Sequence, residues 1–445
     1  MNWWRRFTMT LAVAVAAIAG VAAFRASAFR ESAATSSTAK RINWLVPMQL
    51  DRPLLEQLAA EFRRANPDID LRLEFVPGAQ YQPKLKTLIA ARQPPDMFYC
   101  GDVWVAYLLP FLKDLSPLFA RDAAEIDLED VYPQVLTACR FNGEYRFAPR
   151  WFTVPLLYYN TKVFDDAHEP YPAANWTWTE YLAAAKRLTK LSPDGRTTEI
   201  WGTQIVTGWW GEWLTLVRQS GGELFDAAQQ HCLLDQPAAE RGMQFYFDKV
   251  WKERVSPPPG RGPDQGFASG KLAMELVGHT GNWRMFNQIG GLQWDIQVLP
   301  SGPASQSGGE MALEAIGVSK DTPHPEACWR FLKFMMSRES IRAHVDAGYL
   351  SIRKSVAQET HLSPSHTSNP HNVAAAYEAL AQARSMPHSP DFIEIAMDVI
   401  QPEIDRLLDN PHGNVDEACR RATRAANEFI ETLGTDRRAR APGQE

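Results

Sequence analysis

Residues 207–213 read Thr-Gly-Trp-Trp-Gly-Glu-Trp, which sets one carboxylate, Glu212, among three indoles. Two kinds of chemistry use that combination. Paired carboxylates a few ångströms apart hydrolyse glycosidic bonds, with indole planes as platforms for the sugar. Asp102 and Glu310 are the possible partners of Glu212. Indoles can equally hold a sugar without changing it, covering its flat C–H faces while polar groups meet its rim of hydroxyls. Chain spacing brings no two carboxylates together, so both readings stand at this point. Other reactive patterns fail. There is no GxSxG, and the stretch Gly266–Leu272 is one residue short of a phosphate loop, with Leu272 where a hydroxyl is needed. His361, His366 and His371 recur every five residues in a polar loop without a cysteine or close acidic partner, which predicts solvated histidines rather than a metal site. No cofactor is implied.

The glycines make Thr207–Gly211 a poor interior for helix or strand and point to a loop, so Trp209 and Trp210 are candidates for a ligand wall. Trp213, followed by Leu214, Leu216 and Val217, faces a core. Upstream, Ile42–Val46 reads as a buried strand, and Pro53 opens a helix with Leu54, Leu55, Leu58, Ala59 and Phe62 on one face. Asn66-Pro67 stops it. Ile69, Leu71, Leu73 and Phe75 alternate with polar residues as in a strand, a helix covers Pro83–Arg92, and a short strand runs Asp96–Tyr99. That β-α-β-α-β order implies a mainly parallel sheet wrapped by helices. Ligands of open α/β sheets sit past the carboxyl ends of strands, which places Asp102 and Trp104 well.

Further along, Trp151 lies in a connection, Pro149–Thr153, between strands at Tyr145–Ala148 and Val154–Tyr159. Thr177 and Glu180 form a capping box for a helix through Lys190. The apolar run Leu272–Val277 ends in a turn carrying His279 and Trp283. Helices are predicted from Pro325 through Met335 and over Val415–Leu433, and residues 435–445 read as a disordered basic tail.

The 445 residues, 45% hydrophobic and 22% charged, suffice for two or three domains. Arg5 and Arg6 precede an apolar run from Met9 to Phe24, and Ala26-Ser27-Ala28 has the A-x-A pattern. The run falls short of the roughly 20 residues that span a bilayer, so residues 1–28 read as a cleavable signal peptide rather than an anchor, and 29–40 as a flexible leader. Loss of Arg5, Arg6 and Arg25 takes the formal charge from −6 to −9, which excludes a general attraction for nucleic acid. The five scattered cysteines are no disulfide scaffold and read as buried, inert thiols.

An ordered series of short motifs adds to this reading. It comprises Pro95-Asp96-Met97-Phe98, then Asn142-Gly143-Glu144-Tyr145 leading to Tyr158-Tyr159-Asn160, then Trp176-Thr177-Trp178-Thr179-Glu180-Tyr181. Phe267-Ala268-Ser269-Gly270-Lys271-Leu272-Ala273-Met274, Gly281-Asn282-Trp283 and Val298-Leu299-Pro300 follow in the same sequence. From about Ile42 to Glu431 the chain resembles the extracytoplasmic solute-binding proteins of ABC importers, specifically the carbohydrate-binding, maltose-binding-protein-like group. The resemblance implies a periplasmic-binding-protein type II fold: two α/β lobes joined by a multi-crossover hinge, with the ligand cleft between them. The lobes would be 41–152 with 315–345, and 153–314 with 346–434. Crossings would fall near Phe152–Pro155, Ala312–Ala315 and His344–Tyr349.

Among site residues the resemblance brings in Asp102 and Trp104. It sets Trp209, Trp210 and Gly211 on the opposite lobe, where the two indoles would be exposed until the lobes shut, and it gives Trp283 a stacking role. Ser351 stands where a proline is usual, beside Arg353 as a polar ligand contact that could pair with a phosphate or carboxylate. His279 and Glu310 are neighbours of matched positions. The expected function is capture of a carbohydrate or sugar-derived solute in the periplasm by a monomer that delivers it to the permease of an ABC importer, with no chemical step. A secreted hydrolase and a sensory or adhesion module are the alternatives.

Overall fold

The computed structural model describes residues 39–48, 51–101, 105–304, 309–384, 386–387, 389 and 391–440. The chain divides into two compact units, one comprising residues up to 97 with 322–331, the other 98–321 with 332 onward.

In the first unit, β1 (Lys40–Pro47) pairs in parallel with β2 (Ile69–Val76), from Lys40 opposite Ile69 to Pro47 opposite Val76. The intervening helix α1 (Arg52–Ala65) buries Leu54, Leu55, Leu58, Ala59 and Phe62, the face predicted from their spacing. Asp51 caps its start with Pro at the first turn, and Asn66 ends it by donating from its side chain to the Phe62 carbonyl at 2.8 Å. A second helix, α2 (Gly78–Ala90), starts before Pro83 rather than at it. Trp44 and Phe62 both pack on Phe331, with ring centroids 5.6 and 5.1 Å apart. The Asp96 carboxylate accepts the Asn43 amide at 2.8 Å and the Thr322 hydroxyl at 2.5 Å, tying three segments of this unit together.

In the second unit, most of β3 (Met97–Gly101), then β8 (Ala312–Val318) and β4 (Phe147–Thr153) are neighbours in one sheet. Strand β4 corrects the expected connection at Pro149–Thr153, because the chain runs straight through it as a fully buried strand. The register explains how. Trp151 faces Glu314 and Pro149 faces Ala315, so Arg150 is a bulge, the place in a ladder where a proline without an N–H is tolerated. Trp151 is therefore a strand residue, not a loop residue.

A second sheet has β5 (Leu156–Asn160) at its centre, antiparallel to β6 (Met274–Gly278) and to β7 (Trp294–Gln297). Gly278 is required there, since a Cβ would lie 2.1 Å from the Tyr158 ring. Helices α3 (Trp178–Leu188), α4 (Gly211–Gln219) and α5 (Pro237–Trp251) build the core beside it. The capping box of Thr177 and Glu180 is formed. Every residue of α4 is buried, Trp213 completely, as its apolar run predicts.

All five cysteines are buried, unpaired thiols, and burial raises Cys232 to about 11 and Cys419 to about 12. The last helix, Val415–Arg440, extends into the stretch expected to be a tail. The signal and most of the leader, residues 1–38, lie outside the described residues, while Lys40, the last residue given to the leader, already belongs to β1; among the described residues no helix is long and apolar enough to cross a membrane.

Candidate functional site

The second unit gathers a row of aromatic and polar side chains from four segments that are distant in sequence. Strand β4 supplies Trp151 and Thr153, which share a face because they are two residues apart. Tyr349 stacks on Trp151 with centroids 4.5 Å apart and planes at 26°. Across the ladder Trp151 lies opposite Glu314, whose carboxylate accepts the Tyr99 hydroxyl. At the other end, the Thr153 hydroxyl oxygen accepts the Thr280 amide at 3.1 Å and lies 3.3 Å from His279 Nδ1. His279 is met edge-on by Trp209, 5.1 Å between centroids. The row therefore runs Tyr99, Glu314, Trp151 with Tyr349, Thr153, His279, Trp209.

Two polar atoms where it meets the 279–280 segment stand out. His279 Nε2 and Thr280 Oγ1 are sealed from solvent and have no hydrogen-bond partner among the described residues. Burial of a polar atom without a partner costs about 1–3 kcal/mol, so such atoms mark places where a guest can supply the missing bond. Burial also lowers the His279 pKa to about 4, leaving the imidazole neutral at physiological pH. With Nδ1 engaged by Thr153, Nε2 is either a donor or an acceptor, and a hydroxyl can answer both.

Residues 50–341 match the bacterial extracellular solute-binding proteins, well over half of the chain. The chain belongs to that family. A maltotriose-binding protein of Pyrococcus abyssi (strain GE5 / Orsay) is 20% identical over 395 residues, 86% of this chain and 81% of its own. An ABC substrate-binding protein from Listeria monocytogenes, solved in complex with cycloalternan, superposes with a TM-score of 0.75 at 23% identity, covering 88% of this chain and 99% of that one. The sugar-binding protein MalE from the phytopathogen Xanthomonas citri gives 0.76 at 20% identity, over 91% and 100%. The fold is thus the α/β, two-lobe type II fold of periplasmic binding proteins. Its family is one of substrate-binding proteins, and nothing in the comparisons supports a hydrolase.

In this solute-binding protein the residues singled out from sequence fare differently. Trp151, Trp209 and His279 join the row, and Gly211 supports it, because a Cβ there would lie 2.1 Å from the Trp209 ring. Trp210, expected to be exposed, is a core residue at 8% exposure: its ring meets Phe392 edge-on at 5.1 Å and its Nε1 donates to Glu310 at 3.2 Å. Glu310 is likewise buried, and that bond binds it to Trp210. Trp283, expected to stack on a guest, is 4% exposed and donates from Nε1 to the Tyr158 hydroxyl. The physical reason is shared. Each indole N–H finds an internal acceptor, which lets the whole side chain enter the core.

Arg353 is also corrected. Its guanidinium donates to Asp130 at 3.0 Å and to the carbonyls of Met336, Asp127 and Ile126, at 2.7, 3.5 and 2.5 Å. This arginine fastens one segment of the scaffold to another. Glu212, the acid of the hydrolase reading, is fully buried against Lys249. Burial pushes its pKa up, opposed by the Lys249 ammonium and the Val206 amide. His361, expected in solvent, is 9% exposed and contacts the Tyr377 hydroxyl through Nδ1 at 2.9 Å. Asp102 and Trp104 lie outside the described residues.

Sequence reasoning missed Tyr99, Thr153, Thr280, Glu314 and Tyr349. Glu314 had a signal, as the one carboxylate in the apolar run Leu313–Val318. Thr153 and Thr280 had none, since threonines at the ends of strands are ordinary. A small apolar depression, lined by Val154, Pro155, Leu299, Gly309 and Ala383, lies apart from these residues.

Proposed function

We propose that this protein captures a neutral carbohydrate along the row from Trp151 to Trp209 and presents it, unchanged, to the permease of an ABC importer. The observation that carries this is the pair of buried, unpartnered polar atoms on His279 and Thr280, flanked by Trp209 on one side and the Trp151–Tyr349 stack on the other. Hydroxyls of a sugar satisfy such atoms, and indole faces cover its C–H surfaces. Arg353, the cation offered for a phosphate or carboxylate, is committed to Asp130 and three carbonyls.

The relatives support the class of ligand. The Pyrococcus protein is named for maltotriose, the Listeria structure holds cycloalternan, and the Xanthomonas protein is described as sugar-binding. In the same reading the chain is exported to the periplasm behind a cleaved segment 1–28, acts as a monomer, and has no nucleic-acid partner. The lobes are 41–152 with 315–345 and 153–314 with 346–434. Asp102 and Trp104, which lie outside the described residues, are retained in this proposal as ligand contacts, and binding favours whichever form holds the sugar more tightly.

Titration of tryptophan fluorescence against maltose, maltotriose, cycloalternan, polyols and sugar phosphates tests the proposal. Saturable binding of a neutral sugar that weakens at least tenfold in Trp209→Ala and in His279→Ala is expected. Binding confined to sugar phosphates, or indifferent to both substitutions, would overturn it.

A further inference from the structure

The stretch that carries Trp209 is anchored by buried polar groups that touch no solvent, and the anchoring converges on one residue. Glu212 lies in the first turn of α4, where the helix N-terminus favours a carboxylate. One of its oxygens takes the Lys249 ammonium, in an ion pair whose side chains are both 0% exposed. The other reaches back six residues and accepts the Val206 amide at 2.5 Å. The Val206 carbonyl in turn accepts the Tyr246 hydroxyl at 2.7 Å. Tyr246 and Lys249 are one turn apart on α5, so a single helix face holds both ends of this clasp. Just upstream, Thr203 Oγ1 lies 2.5 Å from the Tyr181 hydroxyl, and Gln204 donates to Glu275 at 2.6 Å. Downstream, Thr207 and Gly208 are exposed, with Gly208 at φ +71°, and then Trp209 folds back over Gly211.

We infer that Glu212 is a positioning residue: its carboxylate, neutralised by Lys249, closes the 206–212 loop on itself and thereby fixes where Trp209 stands. The inference rests on the reading of Trp209 as part of the ligand wall. Stability does not explain the pair. Replacing a buried ion pair by apolar groups of similar volume is often neutral or stabilising, because the desolvation of two charges offsets their attraction. An apolar pair would fill the space but could not accept the Val206 N–H. What the carboxylate adds is the geometry of the loop.

The experiment compares two double variants of the full chain, Glu212→Leu/Lys249→Met and Glu212→Gln/Lys249→Met. The glutamine keeps an acceptor for Val206 and the leucine does not. Hydrogen exchange over residues 204–211, measured without ligand, is expected to rise at least tenfold in the leucine variant and to stay within threefold of wild type in the glutamine variant. Both should keep a wild-type melting temperature within a few degrees. Trp209 emission, isolated by difference from Trp209→Phe, is expected to shift in the leucine variant alone. Wild-type exchange over 204–211 in the leucine variant would overturn the inference, as would equal exchange in the two variants. Should the leucine variant fail to fold, Glu212→Met/Lys249→Met, which also lacks an acceptor for the Val206 N–H, takes its place, and no rise in exchange over 204–211 in it would overturn the inference equally. Titration with maltotriose is kept as a separate arm. Failure of the wild type to bind it bears on the sugar reading, whereas the exchange data bear on the clasp alone.

Discussion

Substituting Gly211 by alanine adds one methyl group beneath Trp209. The new carbon would stand 2.1, 2.3 and 2.5 Å from three atoms of the indole, Cη2, Cζ3 and Cζ2. Carbon atoms attract at about 3.5–4.0 Å, so the ring must retreat by about 1.5 Å. Trp209 is only half-buried, so it can move where a core residue could not. Stability then changes little. Gly211 is the first residue of α4, where alanine gains only part of its mid-helix advantage over glycine, about 0.5 kcal/mol. Loosening the ring from His279 at 5.1 Å loses about 0.5–1.5 kcal/mol. The two nearly cancel, and the melting temperature should stay within about 4 °C of wild type.

Binding has no such compensation. Loss of one indole face from a sugar removes about 1–2 kcal/mol, or about 5–30-fold in affinity. Calorimetric titration with the tightest sugar of the panel, beside a thermal melt of the free protein, measures both quantities. An unchanged affinity would refute the placing of Trp209 against the ligand. A melting temperature lower by ten degrees or more would refute the claim that the ring is free to yield.

Arg353→Met should leave sugar affinity within about twofold while destabilising the fold by about 1–3 kcal/mol in urea, because the half-buried Asp130 loses its cation and the carbonyls of Met336 and Ile126 lose their donor; loss of binding at unchanged stability would return Arg353 to the site. Three buried histidines have folded pKa values below the 6.5 of a free imidazole, about 4 for His279 and His361 and about 3 for His344. The unfolded chain therefore takes up these protons first, and stability falls as pH drops from 6.5 towards 4. Burial pushes Glu275 to about 7 and also raises Glu212, which works the other way. The three histidines outweigh the two carboxylates, so the urea midpoint should be lower at pH 5 than at pH 7; a midpoint that rises on acidification would contradict it. None of the five thiols should react with a disulfide reagent in the native protein, and all five should react once it is unfolded.

The elements were more legible than the site. Apolar spacing placed α1 and β2, and the Thr177-x-x-Glu180 motif placed the start of α3, because each of these signals is local to a few turns of chain. Trp213 was assigned to the core by its apolar neighbours, and it is. Trp210 and Trp283 were not separable from Trp209 in the same way, since what draws these two indoles inward includes acceptors supplied by distant chain. The acceptors, Glu310 and Tyr158, are 100 and 125 residues away in sequence. Arg353 shows the same limit. The resemblance of its segment made Arg353 a ligand contact, and only Asp130, 223 residues away, shows what holds it. The bulge at Arg150 that turns an apparent proline break into a strand depends on the register with β8, which no local pattern encodes.

The unpartnered atoms explain why the row suits a reversible carrier of polar guests. In the free protein, His279 Nε2 and Thr280 Oγ1 have already been taken out of water by folding. A guest hydroxyl that reaches them gains a hydrogen bond without any further desolvation on the protein side, worth about 1–3 kcal/mol for each atom. The same accounting makes the row selective against close analogues. A deoxy sugar that stacks equally well but lacks the hydroxyl leaves the atom buried and unpaired, and should bind about 5–150-fold more weakly. Matched pairs of parent and deoxy sugars distinguish this from stacking alone. If the loss at one deoxy position persists undiminished in His279→Phe, the imidazole is not its partner; if it vanishes there while Trp209→Ala preserves it, the polar and aromatic parts of the row act on different atoms of one ligand.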